Sequence, residues 1–118
     1  PCEEVLDSAV EHGGMAFTQH WVIKNGEIFS PCIQPLGRIE HFRSLCQKGD
    51  RFYVMANRKE MAYQDYLQAQ LDAGVEQALY MDMGAGWNHS FYRDKEGKVH
   101  IIHPKGHSYP TNWIVVMR

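Results

Sequence analysis

Residues 77–93 read Q-A-L-Y-M-D-M-G-A-G-W-N-H-S-F-Y-R and hold the densest set of chemically able side chains in this 118-residue chain. An apolar run, Ala78, Leu79, Tyr80 and Met81, leads into Asp82. Short apolar runs bounded by glycines read as buried strands, and this one would deliver the Asp82 carboxylate at its C-terminal end. Gly84 and Gly86 follow, and without a Cβ they let backbone N–H groups approach an anion. Trp87, Asn88 and His89 then add an aromatic wall, an amide and an imidazole able to shuttle a proton. Acid, amide cradle and aromatic surface together describe one edge of an active site. The plainer account is a turn closed by Asp82 onto its own backbone, with Trp87 anchored in the core. On a strand, Met83 falls on the opposite side from Asp82, so it need not fill the pocket.

Other reactive residues carry less. His100, His103 and His107 lie close in sequence, but their spacing matches neither H-E-x-x-H nor a zinc finger. Hydrogen-bonded or surface histidines are expected there, and no metal site. His41 and Cys46 lack a helix N-terminus or a third orienting group, which a thiol nucleophile needs. Cys2, Cys32 and Cys46 are odd in number and show no C-x-x-C spacing, so buried free thiols are expected. Trp21, Tyr53, Tyr63 and Tyr66 are assigned to the core or to the cover of a helix. Arg58, Lys59, Lys95, Lys98 and Lys105 are scattered, as on a solvated surface.

These residues need a scaffold, and local signals supply one. Val5, Leu6, Ala9 and Val10 recur at helical spacing over 3–12, with acids early and Gly13-Gly14 after, predicting a short N-terminal helix. Residues 15–23 favour a strand, and Asn25-Gly26 turns it into a hairpin with a return at Ile28-Phe29. Residues 30–37 form a loop. A second hairpin joins a strand over 39–46 to one over 51–56 through Lys48-Gly49-Asp50. Asn57 with Glu60 three positions on is a capping-box variant and starts the main helix, about 58–73. Tyr63, Tyr66, Leu67, Gln70 and Leu71 fall on its inner face, and Ala73-Gly74 stops it. Residues 94–97 are a turn, 99–102 a strand, and 112–117 a short closing strand. The sum, roughly seven strands and two helices, is an α+β domain. Its sheet is mostly antiparallel or mixed, with hairpin-connected strands and the main helix packed on it.

Composition narrows the partners. One domain at most fits 118 residues, and an apolar fraction of 44% is ordinary for a globular chain. A net charge of −2 argues against nucleic acid, which binds positive surfaces. No apolar run reaches the length of a membrane span. Neither end carries a basic segment followed by an apolar one, and with Pro1 in first place the stretch reads as trimmed.

Several segments together resemble the phosphodiester glycosidases, typified by the uncovering enzyme that removes N-acetylglucosamine from phosphate-linked mannose. Residues 18–27, with Q-H-W-V-I-K-N-G in the middle, are similar to the hairpin preceding the catalytic half of that family. Phe42-Arg43-Ser44-Leu45-Cys46 resembles its Arg-Thr-x-x-Gly segment. The helix ending Asp72-Ala73-Gly74-Val75, followed by 78–86, resembles its helix, turn and Asp-Gly-Gly-Gly-Ser strand end. Residues 111–116, T-N-W-I-V-V, resemble its closing strand. Met83 and Ala85 stand where the family has glycine, Gly86 where it has serine, and an early Asn-Gly-Gly-Phe-Phe strand has no counterpart.

The resemblance implies cleavage of a sugar-1-phosphodiester in an extracytoplasmic compartment, with residues 1–118 a single domain or the C-terminal portion of one. It implies that Arg43 holds the phosphate, that Asp82 serves the anomeric carbon, and that Gly84 and Gly86 shape the cradle. Asn112 would hold a sugar hydroxyl or orient Asp82. Beside these matched positions, Trp87, Asn88 and His89 are substrate-binding candidates, Trp87 by stacking on a sugar ring and His89 by shuttling a proton. The residue types suit those roles. A guanidinium forks onto phosphate oxygens, glycine-flanked amides add donors, and glycosidic cleavage uses carboxylates. No cofactor is required, although a carboxylate with phosphate oxygens can hold a divalent cation. The alternative is a non-catalytic carbohydrate-binding or structural module on the same scaffold.

Overall fold

A computed structural model describes residues 2–17, 19–29, 34–81, 83, 89–104 and 114–115. In chain order the elements are α1 (Cys2–Glu11), β1 (Trp21–Lys24), β2 (Glu27–Ile28), β3 (Ile39–Glu40), β4 (Arg43–Lys48), β5 (Arg51–Ala56), β6 (Met61–Ala62), α2 (Tyr63–Asp72), β7 (Gln77–Tyr80), β8 (Ser90–Arg93) and β9 (Val99–His103). The arrangement is α+β, as expected. The β1–β2 hairpin turns through Asn25 and Gly26, both at positive φ (54° and 76°), as a two-residue Asn-Gly loop requires. The β4–β5 hairpin pairs without interruption from Arg43↔Ala56 to Lys48↔Arg51. β7 inserts between the two hairpins, antiparallel to both neighbours, so the main sheet runs β2-β1-β7-β4-β5. Two smaller ribbons, β3–β6 and β8–β9, complete the described strands.

Alternation along the strands gives the sheet two unlike faces. Ser44, Cys46 and Ala78 point to one face and are buried beneath α2, whose Tyr63, Tyr66, Leu67 and Gln70 are buried against them. Phe42 lies between Tyr63 and Tyr66, with ring centroids 5.0 and 5.4 Å away. Fully burying such a side chain contributes about 1.5–3 kcal/mol. The register carries Trp21, Leu45, Phe52, Val54 and Leu79 to the opposite face, where Phe52 is 66% exposed. A bulge between Trp21 and Ile23 lets the successive residues Val22 and Ile23 both be buried, the extra residue breaking strict alternation. Trp21 itself lines a shallow hollow on the open face and is not part of the buried core.

The main helix begins later than the sequence suggests. It starts at Tyr63, not near residue 58, because β6 comes first and pairs with β3. Its cap position is Ala62, without a side-chain cap. Backbone carbonyls from a distant loop serve instead: Arg38 accepts from Tyr63 N–H (2.9 Å) and Leu36 from Gln64 N–H (2.9 Å). These satisfy two of the N–H groups that every helix start leaves over. The helix stops where expected. Gly74 takes φ +78°, Gly74 N–H bonds the Leu71 carbonyl and Val75 N–H the Gln70 carbonyl, a Schellman closure.

Asn57, expected as that helix's cap, has a different task. Its Oδ1 accepts from the buried Phe42 N–H, and its Nδ2 donates to the carbonyls of Glu40 and Lys59, each at 2.8 Å. Withdrawing Phe42 N–H from any ladder splits the single strand expected over 39–46 into β3 and β4. The strand expected over 15–23 shrinks to β1, because its only long partner, β7, reaches no further than Leu79↔Trp21 and one more bond, Tyr80 N–H to the His20 carbonyl. Of the closing strand expected over 112–117, the described residues Ile114 and Val115 are irregular and exposed, and the rest lies outside the described residues. α1 matches expectation in position, but Val5, Leu6 and Val10 remain exposed.

Replacing Asn57 with alanine strands three backbone groups at once, so Asn57→Ala is expected to lower stability by about 2–4 kcal/mol. Urea unfolding followed by far-UV circular dichroism measures this. A loss below about 0.5 kcal/mol, the range of ordinary surface changes, would show that those groups find other partners.

Candidate functional site

Several strand ends meet at one end of the sheet. Arg43 opens β4, Ala56 closes β5 with Asn57 next to it, β7 ends at Tyr80, and Ser90 and His103 face each other where β8 begins and β9 ends. The Arg43 carbonyl accepts from Met81 N–H (2.8 Å), which extends the β4–β7 ladder by one bond. Arg43 therefore stands beside the residue that precedes Asp82. Its Nη1 donates to the His89 carbonyl at 3.2 Å, so the guanidinium rests against the peptide joining His89 to Ser90. The structure thus brings Arg43 and His89 together, two residues singled out by sequence. Asp82, Gly84, Gly86, Trp87, Asn88 and Asn112 lie outside the described residues.

A cleft of about 720 Å³ opens beside this corner, with His41, Asn57, Arg58, Met83, Tyr92 and His103 in its walls. Met83 is thus part of the cleft wall. In the cleft wall the Tyr92 and His100 rings stack at 4.8 Å and 9°. His100 Nε2 lies 2.7 Å from Asp94 Oδ2, and that hydrogen bond holds the Asp94 carboxyl below its usual range.

His103 is the best-enclosed ionisable group here, only 7% exposed. Its Nδ1 is 2.7 Å from Ser90 Oγ, and its ring meets that of His41 edge-on at 6.0 Å. His41 Nδ1 in turn lies 3.2 Å from the Asn57 carbonyl. Burial pushes the His103 pKa below the ordinary 6.5. The positive charge of Arg43 and the nearness of His41 push the same way, and the Asn57 carbonyl opposes them. At neutral pH the ring is an uncharged base beside a fixed cation.

Sequence reading did not select Ser90, His103, Asn57 or His41 for this corner. Counting outward from the turn at 94–97 pairs Arg93 with Val99, Tyr92 with His100 and Phe91 with Ile101, which would put Ser90 opposite Ile102. A bulge between Ser90 and Phe91 shifts the register and places His103 there instead. Only the polar Ser90 closing an otherwise β-prone run hinted at this. The thiol pairing considered for Cys46 is excluded by position. Cys46 is fully buried on the α2 face, its Sγ 3.6 Å from Gln70 Oε1, and burial pushes its pKa up to about 11. Such a thiol stays protonated and unreactive.

Among the described residues, no group of three or more His, Cys, Asp or Glu side chains is gathered to hold a metal ion. No described helix is long and apolar enough to cross a membrane. Fold and corner together define an α+β domain with a histidine-lined cleft at the end of an antiparallel sheet. No family model, curated protein or solved structure matches the chain, so the glycosidase likeness rests on the motifs quoted above.

The lowered pKa of His103 has a pH signature. Just below pH 6.5 the unfolded chain takes up a proton on this histidine while the folded chain does not. The unfolded state then binds more protons, so stability rises with pH through that window and is flat above it. Urea midpoints measured from pH 5 to 7.5 should climb for the wild type and climb less for His103→Gln. Equal slopes for the two proteins would remove His103 as the source.

Proposed function

We propose that this chain carries part of the active site of a hydrolase that cleaves a sugar-1-phosphodiester, releasing the sugar from a phosphomonoester in an extracytoplasmic compartment. The observation that carries the reading is the β4–β7 register, in which the Arg43 carbonyl binds Met81 N–H, one residue before Asp82. A half-buried guanidinium is thereby fixed beside the chain that leads into the one carboxylate of residues 77–93.

In this scheme Arg43 receives the singly charged phosphodiester, which a planar fork of donors matches. Backbone amides around Gly84 and Gly86 share that anion. Asp82 works at the anomeric carbon, and Trp87, Asn88, His89 and Asn112 hold the sugar. The departing group is a phosphate ester, already stable as an anion near neutral pH, so leaving-group protonation is a smaller demand than for an alcohol. No cofactor is required, and a divalent cation beside Asp82 is compatible with carboxylate and phosphate oxygens.

One observation favours the rival, a non-catalytic carbohydrate-binding or structural module: Met83 lines the cleft where the family pattern has glycine. Release of sugar from a sugar-1-phosphodiester separates the two. Turnover is expected in the wild type and none with Asp82→Ala. Arg43→Ala should lower kcat/KM by roughly 10²–10³-fold, as removal of a donor to developing negative charge does. Sugar binding without turnover in the wild type would establish the module instead.

A further inference from the structure

We propose that Ser90 is an activated nucleophile, with His103 as its general base, and that the cleft beside them accepts a small carboxylic ester. The geometry has four parts. Ser90 Oγ lies 2.7 Å from His103 Nδ1, at a position fixed by a cross-strand pair and its bulge. The Asn57 backbone carbonyl works against burial by raising the His103 pKa, and it lies 3.2 Å from Nδ1 of the neighbouring His41. The general-base role takes the tautomer in which Nδ1 is bare and accepts from the Ser90 hydroxyl. Asn57 is itself clamped by three backbone groups, and its carbonyl holds His41, whose ring meets that of His103 edge-on at 6.0 Å.

The fourth part is charge. Arg43 donates to the His89 carbonyl, and that carbonyl belongs to the peptide carrying Ser90. A fixed cation so close to the hydroxyl favours negative charge as it develops on the substrate oxygen. His103 lines the cleft, and Ser90 is half-buried beside it. Burial keeps the imidazole neutral at pH 7, the form that takes a proton. Among the described residues, the titratable and charged groups facing His103 are Arg43 on β4 and His41 between β3 and β4, with Glu40, Arg58 and His100 in the cleft walls.

The reaction balances without any added reagent but water. Ser90 Oγ bonds to the ester carbonyl carbon, and its proton passes to His103 Nδ1. The C–O bond to the alcohol breaks, the alkoxide takes that proton, and the acyl group stays on Ser90. Water then gives its proton to Nδ1, attacks the acyl carbon and releases the acid, and the proton returns to Ser90. The net change is ester plus water to acid plus alcohol.

A fluorophosphonate probe tests this directly. Oγ displaces fluoride from phosphorus, the hydroxyl proton leaves with it, and the adduct remains on the chain. Incubation of the wild-type protein should give one adduct per chain, mapped to Ser90 by peptide mass spectrometry. The labelling rate should rise as pH climbs through the titration of His103, below 6.5, and level off by neutrality. Ser90→Ala should abolish the adduct, and His103→Gln should slow it by roughly 10²-fold or more, with circular dichroism confirming both folds. Absence of an adduct on wild-type Ser90 under a large excess of probe would overturn the proposal without any variant. An adduct formed equally fast in folded His103→Gln would overturn it too. The readout is a covalent mark on Ser90 and not sugar release. Its failure therefore leaves the phosphodiester reading untouched, and failure of that reading leaves this one standing.

Discussion

β7 is four residues long and hydrogen-bonded along both edges, and the placement of nearly everything else follows from that. Neither hairpin alone makes a sheet with a coverable face, since isolated two-stranded ribbons are marginal in water. Inserted between them, β7 creates a central surface of small residues, with Ser44, Cys46 and Ala78 adjacent on one face. Their small volume lets the Tyr63, Tyr66 and Leu67 side chains of α2 settle directly on the strands. The Tyr66 hydroxyl, buried in the process, donates to the Met55 carbonyl at 2.9 Å and lies 3.0 Å from Ser44 Oγ. Large side chains on the helix and small ones on the sheet are one packing solution. The same insertion fixes the far end of the sheet, because β7 leaves the ladder beside Arg43. The near end is tied equally firmly, with Gln77 Nε2 donating to Asn25 Oδ1 at 2.8 Å across fifty-two residues of chain.

Where the determinant was local, the sequence was enough to find the element. Asn25-Gly26, Gly49 and Gly74 all take the positive φ that their turn or cap positions demand. The inner face of α2 could be read from spacing because the helix buries one stripe and no more. The failures share a cause as well. Asn57 and Glu60 satisfy the pattern of a capping box, yet the start of α2 is capped by carbonyls of Leu36 and Arg38, more than twenty residues upstream. A cap supplied by tertiary structure leaves no pattern beside the helix. Likewise, strand length over 15–23 and 39–46 depended on partners that residue propensity does not name.

The site divides along the same line. Arg43 and the run into Asp82 could be singled out from residue type and order, and their adjacency follows from antiparallel pairing of β4 with β7. Ser90 and His103 could not, since simple counting from the turn gives the wrong partner. A bulge is invisible to period-two reasoning, although it re-aims a side chain and so recurs beside functional sites. Asn57 was misassigned for a related reason. Its amide satisfies three separate backbone groups, and a side chain with two donors and an acceptor can do this anywhere the chain crosses itself.

Two nucleophilic residues, Cys46 and Ser90, show how environment outweighs residue type here. By intrinsic chemistry the thiol should win, since its ordinary pKa lies far below that of a hydroxyl. Cys46, however, sits on the α2 face with no exposed surface, bonded to a glutamine oxygen, and its pKa rises to about 11. Charge has no way to be solvated there, so ionisation is disfavoured and reactivity with it. Ser90 lies at the opposite extreme of the fold's electrostatics: half-buried, 2.7 Å from a neutral imidazole, on a peptide held by a guanidinium. An internal base removes its proton without the hydroxyl ever standing ionised in solvent, and the fixed cation stabilises the charge that follows. The fold therefore keeps its two candidates apart, burying the intrinsically reactive one in the main sheet and activating the intrinsically inert one on the β8–β9 ribbon.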